Sequence, residues 1–291
     1  RNVLAHSLEQ QQMQISKPVA IDLIKLAAPL AFVNFCNIGT FTVAMMVAGS
    51  FSVQELAALG FTLTLIVTTV VFLFMLLSAI IPITANLKGA GNLPSELHSL
   101  LRSALVIASI FSVIAVIALT LLEALLPLIS TSQEISSLVK QYLRIAIWVV
   151  PLDLFACVII NISNGAGRTF WPAAVSAAAF ITMVLVTWLI ALGNAGLVAM
   201  GSAGIAYSLL FAALTKFVLS ILLLLQADFR SLKFTSLTGS VEVPHLRRIF
   251  SVGFPIGLNE GSIQLFGAVL IIFIASMGVE QLAVHNVAWN V

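Results

Sequence analysis

Long apolar runs separated by short polar breaks set the pattern of this chain. Each run is of the length needed to cross a hydrocarbon layer as a helix, about 20 residues. The pattern predicts spans at residues 24–48, 55–86, 97–128, 134–164, 171–192, 202–225 and 246–277, with an eighth beginning at Gln281. Gly89 and Gly91 stop the second span, and Thr131 with Glu134 forms a capping box that opens the fourth. Pro151 predicts a kink inside span four, because the helix loses a backbone hydrogen bond there. No stretch alternates with the period of a barrel strand, so the expected class is an all-α, multi-spanning membrane protein.

One stretch occurs twice. PLAFVNFCNIGTFTVAMMVAGSFSVQELAA begins at Pro29, and PIGLNEGSIQLFGAVLIIFIASMGVEQLAV begins at Pro255. Pro29 pairs with Pro255, Ser50 with Ser276, Val53 with Val279 and Ala57 with Ala283, all at one offset of 226 without a gap. The echo predicts a six-helix lobe over residues 1–226, a linker over 227–244 and the start of a second, similar lobe over 245–291. Six crossings return a chain to its starting side. The two copies are therefore expected to be parallel repeats, related by an axis along the membrane normal.

Composition agrees. Hydrophobic residues make up 60% of the chain and charged residues 8%, too few to clothe a water-facing surface. A net charge of +2 gives no reason to expect a nucleic-acid partner. Cys36 and Cys157 lie inside apolar runs, which argues against a disulfide framework, and no metal-ligand spacing is found. The polar start lacks a signal-peptide core and an initiating Met, so span one is expected to insert uncleaved and residue 1 not to be the native start. Lys and Arg flank alternate connections: Lys17 and Lys25, Lys88, Arg168, then Arg230, Lys233, Arg247 and Arg248. The intervening connections at 49–54, 130–132, 193–200 and 278–280 carry none. By the positive-inside rule the N-terminus is cytoplasmic. Lys140 and Arg144, near the outer start of span four, are the exception, and snorkelling would accommodate them.

A charge at the centre of a spanning helix costs about 2.5–3.5 kcal/mol on insertion scales, so each one asks for a reason. Asp153 shares a helical stripe with Cys157, Asn161 and Asn164, either as a protonatable wall of a wet cavity or as a structural partner to a neighbouring helix. Lys216, deep in span six, is expected to pair with Asp153. Glu260 in span seven, with Gln264 one turn on, is the candidate for binding a coupling ion or a cationic substrate. The matching place in the first copy holds Asn34, with Asn37 one turn later. Polar residues at matched places suit a site where two lobes meet, though polar glue between helices remains the competing explanation. Gly253, Gly257 and Gly261 form a small-residue seam expected to serve close packing. Glu123 is expected to reach the interface. The four His are scattered, and no nucleophile and base can be assembled, so no enzyme is expected.

The motifs, in order, resemble the multidrug and toxic compound extrusion (MATE) transporters. The residues that carry this are VAGSFSVQELAALG after span one, PITANLKGAG after span two, YLRI before Pro151, Asn164 to Thr169 leading to Pro172, GFPIGL from Gly253, and LAVHN from Leu282. The resemblance implies a twelve-helix, two-lobe fold that exports amphipathic, often cationic small molecules in exchange for H⁺ or Na⁺. It implies no other cofactor and a monomer in the bacterial inner membrane, of which this chain would be one lobe, span seven and part of span eight. There are departures. The aspartate that many members carry in span one aligns with Ala44, and their Asn and Asp of span five fall near Met183 and Thr187. Their span-seven glutamate aligns with Ile263, one turn beyond Glu260. Two other readings stay open: a flippase for a lipid-linked precursor, and a non-transporting membrane scaffold.

Overall fold

A computed structural model describes residues 17–129, 133–196, 198–224 and 242–290. It is all-helical over these residues, and seven of its helices are long and apolar enough to cross a membrane. Span one is Lys17–Phe51, span three Leu93–Ile129, span four Gln133–Gly165, span six Ser202–Leu224 and span seven Val243–Met277. Span five is Phe170–Val186, continued by a wider π-turn over Thr187–Ala191. An eighth helix, Val279–Asn290, follows span seven. The capping box at Thr131 lies outside the described residues, as does the linker through residue 241.

The helix ends repeat the echo read in the letters. Span one and span seven are both 35 residues long, and their ends differ by the same 226 (243 less 17, 277 less 51). The helices that follow begin at Val53 and Val279, again 226 apart.

Span two is interrupted. It runs Val53–Ser78, breaks at Ala79 and resumes as Ile80–Gly89. The cause is Pro82, which has no N–H to offer the carbonyl four residues back at Ser78 and whose ring crowds that carbonyl. At the break the Ala79 N–H tightens onto Leu76 O at 3.3 Å. Span four, in which the sequence predicts a kink, runs as one helix through Pro151. The described interruption therefore falls in span two, two spans before the expected place.

Spans two and four are the most enclosed, and spans one and seven the least. The larger apolar cluster joins spans two, three and four to the Leu224 end of span six and to span seven. A second, smaller cluster lies among spans one, two, four, five and six.

At the end of the bundle carrying Lys88, spans two and four finish in the same way. Each closes with a 6→1 backbone bond over a left-handed glycine: Asn92 N–H to Leu87 O across Gly91, and Arg168 N–H to Ser163 O across Gly167. Lys88 Nζ then donates to Ala166 O at 2.6 Å, a cation placed on the carbonyl end of span four. Gly165 makes this approach possible, since a Cβ there would sit 2.5 Å from Ile81 O and 2.6 Å from Thr84 Cβ. Two of the quoted motifs, PITANLKGAG and the segment from Asn164 to Thr169, are thus one contact.

Span seven packs on span two through its glycines. A Cβ on Gly253 would overlap the Leu76 carbonyl, and one on Gly257 would meet Phe72 Cδ2 at 3.0 Å. Phe72 closes the contact edge-on against Phe254, with centroids 5.8 Å apart. Span three meets the same helix through Phe111 and Phe250, and buried His245 at its start lies 3.8 Å from Glu96 and 3.6 Å from Glu242.

Candidate functional site

The one ion pair deep in the described bundle is the expected one. Lys216 Nζ lies 2.9 Å from Asp153 Oδ1, with the two side chains 23% and 25% exposed. At 1.5 Å per residue, Asp153 stands about 18 Å in from the Gly165 end of span four, and Lys216 about 21 Å in from Ser202. Both therefore sit near the middle of the membrane. Phe155 and Phe217, edge to face with centroids 6.3 Å apart, pack spans four and six beside the pair. Thr215, next to Lys216, donates to the Thr182 hydroxyl at 3.4 Å, which brings span five to the same level.

Two turns beyond Asp153 the stripe becomes structural. Asn161 is buried, and its Nδ2 donates to Leu77 O at 3.2 Å and to Cys157 Sγ at 3.2 Å. Leu77 borders the break at Ala79, so the asparagine amide serves a carbonyl next to the interruption of span two. Among the described residues that amide holds two helices together.

The other candidates stand apart from the pair. Glu260 is the middle residue of span seven, and Asn34 the middle residue of span one. Glu260 and Gln264 are half-buried on the helix that lies against span two, where Thr68 Oγ1 donates to the Gln264 carbonyl at 3.3 Å. The Glu260 side chain has no hydrogen bond or ion pair to any described residue. Asn34 and Asn37 are exposed on span one. Span two separates the groups: Leu77 meets span four, while Thr68, Phe72 and Leu76 meet span seven.

Where the resemblance leads one to expect carboxylates in the first lobe, the structure has a filled apolar cluster. Ala44 and Met183 are fully buried in it, and Thr187 beside them donates to Met183 Sδ at 3.8 Å. A carboxylate in either place would have no water and no cation.

Sequence reasoning missed a different carboxylate. Glu55, in the first turn of span two, accepts a hydrogen bond from Tyr142 Oη at 3.4 Å, with the Ser202 hydroxyl close by. Its own N–H donates to Ser52 Oγ at 3.1 Å. One acidic residue thus joins spans two, four and six at the end opposite Lys88. The signal was present as Ser52 and Glu55 three apart, a capping-box spacing.

The MatE family matches residues 29–189, more than half of the chain. The chain belongs to the MatE family. Among relatives of the MatE chain is the multidrug resistance protein NorM of Vibrio cholerae, 24% identical over 281 residues. That alignment covers 94% of this chain and 60% of the relative. The multidrug resistance protein MdtK of Pectobacterium atrosepticum is 24% identical over 274 residues, covering 92% of this chain and 59% of MdtK. An inward-facing multidrug resistance MATE family transporter of the MOP superfamily has the same fold, with a TM-score of 0.75 at 18% identity over 92% of this chain and 60% of that one. An outward-facing one gives 0.70 at 20% identity, covering 92% and 59%. A MOP superfamily transporter from Pyrococcus furiosus gives 0.73 at 18% identity over the same shares, 92% and 59%. The MatE chain thus spans about three-fifths of the length of the relatives it matches. It is an integral, multi-pass membrane protein of a transporter family.

Proposed function

We propose that this MatE chain works within a secondary active exporter that moves amphipathic, cationic small molecules in exchange for H⁺ or Na⁺ by alternating access. The observation that carries this reading is the Lys216–Asp153 pair, a charge-reversible element held 2.9 Å apart in mid-membrane. Coupling requires that two ligands favour two different states of one site. A proton on Asp153, or a cation competing for it, removes the attraction that holds Lys216, so spans four and six gain a second arrangement. Glu260, half-buried at the middle of span seven without a described partner, is the second carboxylate in this scheme.

Parts of the proposal rest on sequence alone. The N-terminus is placed in the cytoplasm of a bacterial cell with the protein in the inner membrane, and the working unit is a monomer. The first lobe is residues 1–226, the linker 227–244, and the second lobe starts at 245. The relatives named as multidrug resistance proteins support the substrate class. The flippase reading is weaker, because the lysine at this depth is already taken by Asp153.

The test is accumulation of a fluorescent cationic dye in cells expressing the protein, with an imposed pH or Na⁺ gradient in turn. Expression is expected to lower accumulation under one of the two gradients. Glu260→Gln should raise it at least tenfold back toward the empty-cell level, the scale of losing one charged contact of about 1.4 kcal/mol or more. Accumulation equal to that of empty cells under both gradients leaves the scaffold reading in its place.

A further inference from the structure

Arg144 breaks the loop-charge pattern, and the structure gives it a specific setting. Its Nε lies 2.9 Å from Glu123 Oε1 of span three, yet the Arg144 side chain remains 71% exposed while that of Glu123 is only 19% exposed. The carboxylate is tucked between spans three and four and holds the guanidinium by its inner edge. The two terminal nitrogens of the fork have no partner among the described residues.

The depth of this pair follows from helix rise. Lys88 and Ala166 mark one face of the membrane. Gly165 and Arg144 are 21 residues apart on span four, about 31 Å at 1.5 Å per residue. Glu123 of span three, 2.9 Å from Arg144, lies at the same depth. The hydrocarbon core is about 30 Å thick, so both residues reach its opposite boundary. Lys140, one turn outward and on the same helix face, then stands in the headgroup layer. Among the described residues it has no partner. Trp148, one turn inward, is 68% exposed, as suits a ring at the boundary.

We propose that this face of spans three and four binds the headgroup of an anionic phospholipid in the leaflet remote from Lys88. The chemistry is complementary at each level. Arg144, held by Glu123, offers a planar fork of N–H donors that matches two oxygens of a phosphodiester. Lys140 adds a second cation in the headgroup layer, and Trp148 meets the acyl chains. Two cations against one carboxylate leave a single positive charge, which one phosphodiester neutralises. Snorkelling alone would explain a lysine here. It does not explain why an arginine is pinned to a neighbouring helix with its fork turned outward.

The experiment is lipid titration of the purified full-length protein in detergent, read by native mass spectrometry. The probes are phosphatidylglycerol, phosphatidylcholine of the same chains, and inorganic phosphate as competitor. Wild type is expected to retain phosphatidylglycerol about tenfold better than phosphatidylcholine, the scale of one to two cations at a membrane surface. Inorganic phosphate should fail to displace it. Arg144→Gln with Lys140→Gln should erase the preference, and Arg144→Lys should weaken it by loss of the fork. Arg247→Gln with Arg248→Gln, on the far side of the membrane, should leave it intact. Equal retention of the two lipids by wild type, or a preference that survives Arg144→Gln with Lys140→Gln, overturns the proposal. So does displacement by free phosphate, which would mark an anion site rather than a lipid site. Thermal unfolding of each delipidated variant separates lost binding from lost fold.

Discussion

Lys216→Met is expected to reduce transport to the background of cells without the protein. The substituted side chain keeps most of the length of lysine and loses its charge, so Asp153 is left on span four with nothing 2.9 Å away to answer it. An uncompensated charge at that depth costs about 3 kcal/mol, by the measure of broken buried pairs and of insertion into the membrane centre. Without the lysine there is no pair for an incoming proton or cation to open, so the change couples nothing. A purely structural pair would also suffer from the single change, so further variants are needed. Asp153→Asn together with Lys216→Met removes both charges and should restore thermal stability to within about 1 kcal/mol of wild type, since replacing both partners is close to neutral. It should not restore efflux. Exchanging the two, Asp153→Lys with Lys216→Asp, keeps an ion pair between the same helices and should recover part of the activity. Normal efflux by Lys216→Met at normal expression removes the pair from the mechanism. Efflux by the doubly neutral variant reduces it to helix packing.

The pair was legible because a membrane leaves so few reasons for charge in mid-span. Span limits were legible on the same ground, since hydrocarbon thickness fixes helix length; the predicted 202–225 and 246–277 meet helices at Ser202–Leu224 and Val243–Met277. The repeat was legible because both copies keep their proline and their glycine-serine or serine break at one offset. What the letters did not disclose are contacts between residues far apart in sequence. Arg144 was an anomaly of loop charge until Glu123, 21 positions earlier, stood beside it. Asn161 read as part of a wet stripe, because nothing in its own span tells that Leu77 needs a donor. The interruption of span two is a local matter that could have been read. Pro82 stands inside PITANLKGAG, but the glycines that stop the helix drew attention from the carbonyl it leaves at Ser78. Ala44 and Met183 were visible as departures from the resemblance. Only their common burial shows that the place of a carboxylate has been filled with apolar atoms.

Gly253→Leu is expected to separate span seven from span two, and with it the first helix of the second copy from the first lobe. Along this seam the available space grows in steps. A Cβ on Gly253 would overlap the Leu76 carbonyl, one on Gly257 would stand 3.0 Å from Phe72 atoms, and one on Gly261 would stand 3.8 Å from Phe72 Cβ. Backbone cannot turn aside as a side chain can, so at 253 the helices themselves must move. In a membrane this is a heavy loss, because lipid is as apolar as the helix surface and close packing is what favours association. Overpacking in well-fitted cores costs about 1–3 kcal/mol, and the backbone clash puts Gly253→Leu at the upper end. Gly257→Ala should be intermediate, since its Cβ would stand 3.0 Å from both Phe72 Cδ2, which can give by a few tenths of an ångström, and the Phe72 carbonyl oxygen, which cannot. Gly261→Ala, at ordinary contact distance, should be silent. The measurement is thermal unfolding of the three variants, with disulfide cross-linking of Thr68→Cys to Gln264→Cys reporting helix contact through the place where Thr68 Oγ1 now meets the Gln264 carbonyl. The cross-link should form in the wild-type background and with Gly261→Ala, and fail with Gly253→Leu. A flat response across the three positions would mean that span seven is held by its aromatic contacts, Phe72 with Phe254 and Phe111 with Phe250. The glycine seam would then be permissive and not required. A graded response makes the seam the joint on which the second copy is mounted, so that any movement of span seven relative to span two must be a sliding or rocking of two backbones already in contact.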